Sequence, residues 1–266
     1  MISKAHLPEQ QRNIINTQIT KFKKPVQTVE LDSIPDANYI PGEASARWLK
    51  ISDVICVFVD MKNSTKLSAA RHANTTARSY TLFTGTAVRL FRSFGASYID
   101  IKGDGVFALF NSNQVNTALV SAVTFKTFVD EEFTRHVSSK THVDTGVRIG
   151  IDQSTLLVSK VGFKRDASRA DIHNEVWAGK AVNVASKLSS LSNDNEIHVS
   201  AEFFKKLKSR KILYSCTCTE LEELWETVDV SHDDRFSFNT AHSLKSAWCK
   251  KHGVEYIESI LAEDEQ

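Results

Sequence analysis

Two apolar runs that each end in an aspartate constrain this chain more than any other feature. Ser52–Asp60 (SDVICVFVD) has the near-continuous apolar character of a buried strand and closes on a carboxylate. Tyr98–Phe110 (YIDIKGDGVFALF) reads as two short strands joined through Gly103-Asp104-Gly105, where the glycines permit a tight turn and Asp104 projects from its tip. Taken singly, Asp60 reads more readily as a helix N-cap and Asp104 as an ordinary turn residue. Together, two carboxylates on neighbouring strand ends suit shared divalent cations. Hard oxygen ligands from only two side chains leave the other positions around Mg²⁺ or Mn²⁺ to water and phosphate. The pairing points to a nucleotide site.

The rest of the composition narrows the alternatives. With 266 residues, 41% of them hydrophobic, the chain can build an ample core. Lys and Arg total 33 against 32 Asp and Glu, so no global basic field favours nucleic acid or anionic lipid, and phosphate recognition has to be local. The near-neutral charge and the lack of an aromatic-rich RNA-binding strand disfavour a nucleic-acid partner. No window approaches the ~20 consecutive apolar residues of a membrane span, and the N-terminus lacks a signal-peptide core, so a cytoplasmic location without membrane attachment is expected. Four cysteines suggest no metal or disulfide framework: Cys56 sits in an apolar strand, Cys216 and Cys218 form a lone C-x-C whose zinc reading needs two further ligands, and Cys249 is isolated on an expected helix. All four are expected as reduced thiols.

Along the chain, Ile14, Ile15, Ile19 and Phe22 recur at helical spacing, and a Pro-containing polar stretch follows from Pro25 to Pro41. Ser64–Phe94 and Val115–His136 read as long helices. Val147–Ile151 (VRIGI) and Leu156–Phe163 (LLVSKVGF) read as a second hairpin-like pair, and Ala178–Leu188 (AGKAVNVASKL) as the opening of a helix. Further on, Phe203, Phe204 and Leu207 suggest a short helix, Ile212–Val230 a strand region, and Phe238–Leu261 a helical appendage. The resulting order, β-α-ββ-α-ββ-α-β, predicts an α/β (α+β) sandwich with helices over a mostly antiparallel sheet. The expected divisions are an N-terminal arm and linker (1–49), a catalytic domain (50–230) and a C-terminal helical extension (231–266).

Taken in order, FVDMKNST, KGDGVFALF, VRIGI and AGKAVNVASKL resemble the catalytic domain of the class III nucleotidyl cyclases over roughly residues 50 to 200. The match is specific as an ensemble, since each string alone recurs in unrelated proteins. The resemblance implies a ferredoxin-like core and a two-metal reaction that forms a 3′,5′-cyclic nucleotide and pyrophosphate. It implies Asp60, Asp104 and the main-chain carbonyl of Met61 as ligands of two divalent cations, Mg or Mn. Asn183 matches the asparagine that orients the ribose, and Lys187 stands where most members have an arginine bracing the transition-state phosphate. Lysine keeps that charge but not the bidentate fork. Asn63 replaces a customary glycine, while Asn63, Ser64 and Thr65 can offer amides and hydroxyls to phosphate. In the family the metal pair and the Asn/Arg pair face each other across subunits, which implies a homodimer with composite sites.

Adenine-selective members carry a lysine four residues before the second metal aspartate and an aspartate or threonine seven before the asparagine; here those positions are Asp100 and Val176. A carboxylate accepts from uracil N3, the cytosine amino group or guanine N1 and N2, but cannot donate to adenine N1. Lys102 can supply a donor to a base carbonyl; alternatively, Asp100 is a solvent-facing strand residue paired with Lys102. The Trp177–Ala185 turn and the Leu224–Val228 stretch are most similar to the bacterial Pycsar pyrimidine cyclases of anti-phage defence, whose product a separate effector reads. The resemblance ranks UTP first, then CTP, then GTP, with a catalytically silent cyclase-fold binding module as the alternative of another class.

Overall fold

The structure is a computed structural model and describes residues 2–70, 73–162, 173–191, 196–216, 218, 220–244 and 248–264. In chain order the elements are α1 (Glu9–Phe22), β1 (Gln27–Leu31), β2 (Arg47–Lys62), α2 (Ser64–Ala70), α3 (Ala73–Ser93), β3 (Tyr98–Lys102), β4 (Gly105–Phe110), α4 (Val115–Phe128), α5 (Thr134–Thr141), β5 (Gly146–Gly162), β6 (His173–Gly179), α6 (Lys180–Ser189), β7 (Ile197–Ser200), α7 (Ala201–Phe204), α8 (Arg210–Leu213), β8 (Trp225–Asp229), β9 (Thr240–Leu244) and α9 (Gly253–Leu261). A π-helical turn, Val129–Phe133, joins α4 to α5.

Nine strands form one sheet in the order β3-β4-β2-β5-β7-β9-β8, with β1 added on β2 and β6 on β5. Pairing is antiparallel except for β1 with β2 and β5 with β7. The apolar run of β2 is long because the strand lies between β4 and β5 and both of its faces are buried. A bulge between Ile51 and Val54, with Asp53 at φ 64, slips the alternation by one. Leu49 and Ile51 therefore share a face with Val54 and Cys56.

On the other face, Ile55, Val57, Val59 and Met61 meet Phe83 and Phe91 of α3, Phe125 of α4 and Ile260 of α9. Phe83 and Phe125 touch edge to face at 5.1 Å. The first face carries α6 through Ala181 and Ala185. A Cβ added at Gly150 of β5 would lie 1.9 Å from the Ala185 carbonyl oxygen, so only glycine lets α6 rest on the sheet at this height. The result is the α+β sandwich the pattern predicts.

Several expectations change. VRIGI and the Leu156–Gly162 part of LLVSKVGF are not a hairpin but parts of one 17-residue strand, and Phe163 lies outside the described residues. The polar interruption Asp152-Gln153-Ser154 looks like a turn in sequence, yet Asp152 and Gln153 are only 4% and 3% exposed. Ser154 donates to Asp152 at 2.6 Å and the Gln153 amide donates to the Ser112 carbonyl at 3.2 Å, so burial costs them few hydrogen bonds. The hairpin partner of β5 is β6, which holds Ala178 and Gly179 before α6 begins. Ile212–Val230 takes in the end of α8 and, among its described residues, one full strand, β8. Among the described residues of Phe238–Leu261 the helix begins at Gly253, and β9 inserts between β7 and β8 and carries the sheet past residue 230. Likewise β1, inside the expected linker, pairs with β2. Cys249 lies before α9 rather than on it and comes within 3.9 Å of Cys218.

Candidate active site

The end of β2 brings three charged groups together. Asp60 is paired in register with Gly105 of β4 on one side and Arg148 of β5 on the other. Gly103 at φ 68 turns the β3–β4 hairpin, and the Met61 amide donates to the Asp104 carbonyl at 3.3 Å, which ties the turn to β2. Arg148 Nη2 donates to Asp60 Oδ2 at 2.5 Å. Burial raises the pKa of the Asp60 carboxyl; Arg148 pulls it back down, while the neighbouring Asp104 pushes it up further. A single guanidinium thus leaves the ionised pair of carboxylates undercompensated. The buried Nε of Arg148 has no partner among the described residues. Two neighbouring carboxylates, with the buried Asp60 harder to ionise than an ordinary aspartate, are a donor set that fits a divalent cation, and the orphaned Nε fits an anionic oxygen beside it.

Arg148 was missing from the sequence reading. Its signal was present: a guanidinium inside the apolar VRIGI run has to face something charged, but identifying Asp60 requires the β2–β5 register.

Next to this corner, Asn63 adopts φ 58, the left-handed conformation that a glycine would also supply and that asparagine tolerates. Its side chain donates to the Asp144 carbonyl at 2.7 Å, and its own carbonyl accepts from Leu67 in the first turn of α2, where Ser64 and Thr65 also lie. The replacement of glycine therefore leaves this backbone turn intact.

Asp100 and Lys102 alternate on β3 and pair at 2.7 Å, with Asp100 the less exposed of the two. Asp100 stands opposite Phe107. Beside it, Tyr98 lies 4.5 Å from the Trp177 ring and 6.0 Å from Phe107, so this end of the strand pair has an aromatic floor. Val176 is 38% exposed on β6, facing outward next to the buried Trp177.

Asn183 and Lys187 are on α6, with Asn183 exposed. Gly179, at the start of α6, abuts Thr155 and Leu156, while the last turn reaches Gly150. Asn183 thus sits midway along β5, roughly 15 Å from the Asp60–Arg148 rung at the strand's rise per residue. Lys187 Nζ donates to the Arg235 carbonyl at 2.6 Å. Within one chain the structure brings Asp60, Asp104 and Arg148 together, and carries Asn183 on α6 further along β5.

No helix among the described residues is long and apolar enough to cross a membrane. The family described as the adenylate and guanylate cyclase catalytic domain matches residues 48–224. A uridylate cyclase of Propioniciclava tarda is 34% identical over 258 residues, covering 93% of this chain and 80% of that protein. A uridylate cyclase of Micromonospora echinofusca is 32% identical, covering 85% and 74%. Among solved structures, the adenylyl cyclase CyaB from P. aeruginosa superposes with a TM-score of 0.59 at 16% identity, covering 75% of this chain and 96% of that one. The guanylate cyclase domain of RhGC from Catenaria anguillulae, in complex with GTP, gives 0.58 at 15%, covering 73% and 97%. At these identities the structures establish the likeness of fold.

Proposed function

The chain belongs to the adenylate and guanylate cyclase catalytic-domain family and is a nucleotidyl cyclase; from that premise we propose that it converts UTP to 3′,5′-cyclic UMP and pyrophosphate in a homodimer. In the reaction the ribose 3′-oxygen forms a bond to the α-phosphorus, the bond from that phosphorus to the β-phosphate bridging oxygen breaks, and the 3′-hydroxyl proton leaves to solvent. Asp60, Asp104 and the Met61 carbonyl would hold the divalent cations, Mg or Mn. When bound, the cations supply acidification of the 3′-hydroxyl and neutralisation of the triphosphate.

The chain's own residues do the rest. Arg148 can turn its unpartnered Nε and its fork toward a phosphate oxygen while keeping hold of Asp60. The left-handed turn at Asn63 aims the start of α2, with Ser64 and Thr65, at the same phosphates. Asn183 of the partner subunit would orient the ribose and Lys187 of the partner subunit would meet the transition-state charge, after exchanging the Arg235 carbonyl for phosphate. The separation of Asn183 from Asp60 within one chain supports this composite arrangement.

The observation that carries the base assignment is the Asp100–Lys102 pair. Its carboxylate accepts from uracil N3 and its ammonium donates to a uracil carbonyl, so both partners of the ion pair are reused. The names of the two relatives above support the same base. A cyclic mononucleotide is diffusible, so a separate effector protein would read it, as in the anti-phage systems that the sequence resembles.

Incubating the protein with each of the four ribonucleoside triphosphates and Mn²⁺, and identifying cyclic products by mass, tests the substrate. Cyclic UMP is expected to dominate; cyclic CMP or GMP in its place would move the assignment, and cyclic AMP would overturn it. Mixing inactive Asp104→Ala with inactive Asn183→Ala chains tests the composite site. Activity should return, because a mixed dimer holds one intact site; no rescue after verified subunit exchange would confine both residues to one chain.

A further inference from the structure

The loop that follows α8 and the turn that precedes α9 meet at four soft ligands. Tyr214 bridges to Glu223, and the Ser215 amide donates to the Glu222 carbonyl at 2.8 Å, closing a loop that carries Cys216 and Cys218 at its far end. Cys249 and His252 come from the other segment, immediately before α9. One ligand atom from each of the four, three Sγ and an imidazole nitrogen, all lie within 4.8 Å of one another. Cys218 Sγ is 3.9 Å from Cys249 Sγ, and His252 Nδ1 is 3.1 Å from Cys218 Sγ and 3.6 Å from Cys249 Sγ.

A tetrahedron with zinc–sulfur bonds of about 2.3 Å and a zinc–nitrogen bond of about 2.0 Å has edges of roughly 3.8 Å between sulfurs and 3.5 Å between sulfur and nitrogen. The 3.9 Å and 3.6 Å separations match those edges, the 3.1 Å contact between Cys218 and His252 is shorter than its edge and would open on binding, and 3.9 Å between sulfurs is far from a disulfide bond of about 2.05 Å. The His252 amide also points at Cys249 Sγ, at 3.4 Å, which is where an N–H supports a thiolate ligand.

We propose that Cys216, Cys218, Cys249 and His252 form a structural zinc site that clasps the C-terminal helix to the catalytic domain. Three thiolates and an imidazole select a soft or borderline ion over Mg²⁺ or Mn²⁺. Four protein ligands leave no open position, so the site is structural and takes no part in the cyclisation. It has a segment to hold: α9 buries Ile260 in the core, and Asp264 accepts from the Asn116 and Thr117 amides at 3.2 and 2.7 Å, capping α4. Trp248 Nε1 donates to the Lys211 carbonyl at 2.7 Å, bringing the two segments together beside the cluster.

The test uses the full chain, purified under reducing conditions without chelator and desalted. Elemental analysis should give about one zinc per chain. Cobalt(II) added to metal-stripped protein should produce the visible bands of a tetrahedral ion with sulfur-to-metal charge transfer. Cys218→Ser and Cys249→Ser should lose the zinc, His252→Cys should keep it with an altered cobalt spectrum, and an Asp60→Asn, Asp104→Asn double variant should keep it unchanged. If the serine variants do not fold, the wild-type zinc content and cobalt charge-transfer bands decide alone. Zinc-free protein in which Cys216, Cys218 and Cys249 titrate as free thiols overturns the proposal, as does a Cys218–Cys249 disulfide in the reduced preparation or zinc retained by both serine variants.

Discussion

At the end of β2, Asp60 and Asp104 offer oxygen ligands from a strand end and a hairpin turn and leave most of a coordination sphere open, whereas Cys216, Cys218, Cys249 and His252 bring four protein ligand atoms within 4.8 Å of one another. The first arrangement suits an ion that must exchange water for substrate oxygens in every turnover; the second suits one that never leaves. The difference extends to the supporting structure. The oxygen corner stands on the centre of the sheet, so its geometry exists before any ion arrives. The sulfur cluster joins a loop to a chain terminus, so an ion there would hold together what the backbone does not.

The contrast breaks first at the carboxylates. Asp60→Asn or Asp104→Asn should lower kcat at least ~100-fold in Mg²⁺ and in Mn²⁺ alike, on the scale of other preorganised electrostatic groups. Cys249→Ser should instead lower the melting temperature and leave turnover at 25 °C within a few fold. Steady-state kinetics and thermal melts on both variants check this, and a reversal of the two phenotypes would exchange the roles of the two corners.

A smaller effect is expected beside the oxygen corner. Asp100→Ala should reduce the preference for UTP over ATP by roughly 1–3 kcal/mol, about 5- to 150-fold in the ratio of kcat/KM, because base discrimination comes from polar groups left unsatisfied by the wrong base. An unchanged ranking of the four triphosphates would place base reading elsewhere.

The smallest effect concerns the metal-free protein. Burial raises the pKa of the Asp60 carboxyl above its ordinary 3.8, so the folded state holds that proton more tightly than the unfolded state. The stability this provides is fully present below the unfolded value and is lost as pH rises through the raised folded value. At neutral pH without cations, Asp60→Asn should therefore melt slightly above wild type, and added Mn²⁺ should raise the wild-type melting temperature while moving that of the variant little. A variant that melts lower in the absence of cations would mean that Arg148 outweighs burial.

Asp60 and Asp104 were legible in the sequence because each terminates a run whose apolar character fixes its place on a strand. Asn183 and Lys187 were singled out by the resemblance, and their helical spacing puts them on one side of α6, the helix that carries both. Arg148 was not, since its meaning depends on a register between strands far apart in sequence. The continuity of β5 was hidden by Asp152 and Gln153, polar residues held inside the strand by a bond from Ser154 two residues on and by the Ser112 carbonyl, which is distant in sequence. Strand β9 was hidden because five residues, Thr240–Leu244, carry too little alternation to outweigh the helical spacing after them. The lone C-x-C was visible, but its two remaining ligands lie in a different segment, and one of them is a histidine that cysteine spacing does not count.

Gly150 acts as a shim. It sets the height of α6 above β5, and a methyl group there would overlap the Ala185 carbonyl unless the helix rose by more than about 1 Å to ordinary contact. Asn183 and Lys187 ride on that helix. In a two-fold assembly the same lift would be delivered to both catalytic clefts at once, and a misplacement of about 1 Å is enough to cost a site on the order of 100-fold. The turnover of such an assembly would thus be gauged by the thickness of one missing side chain.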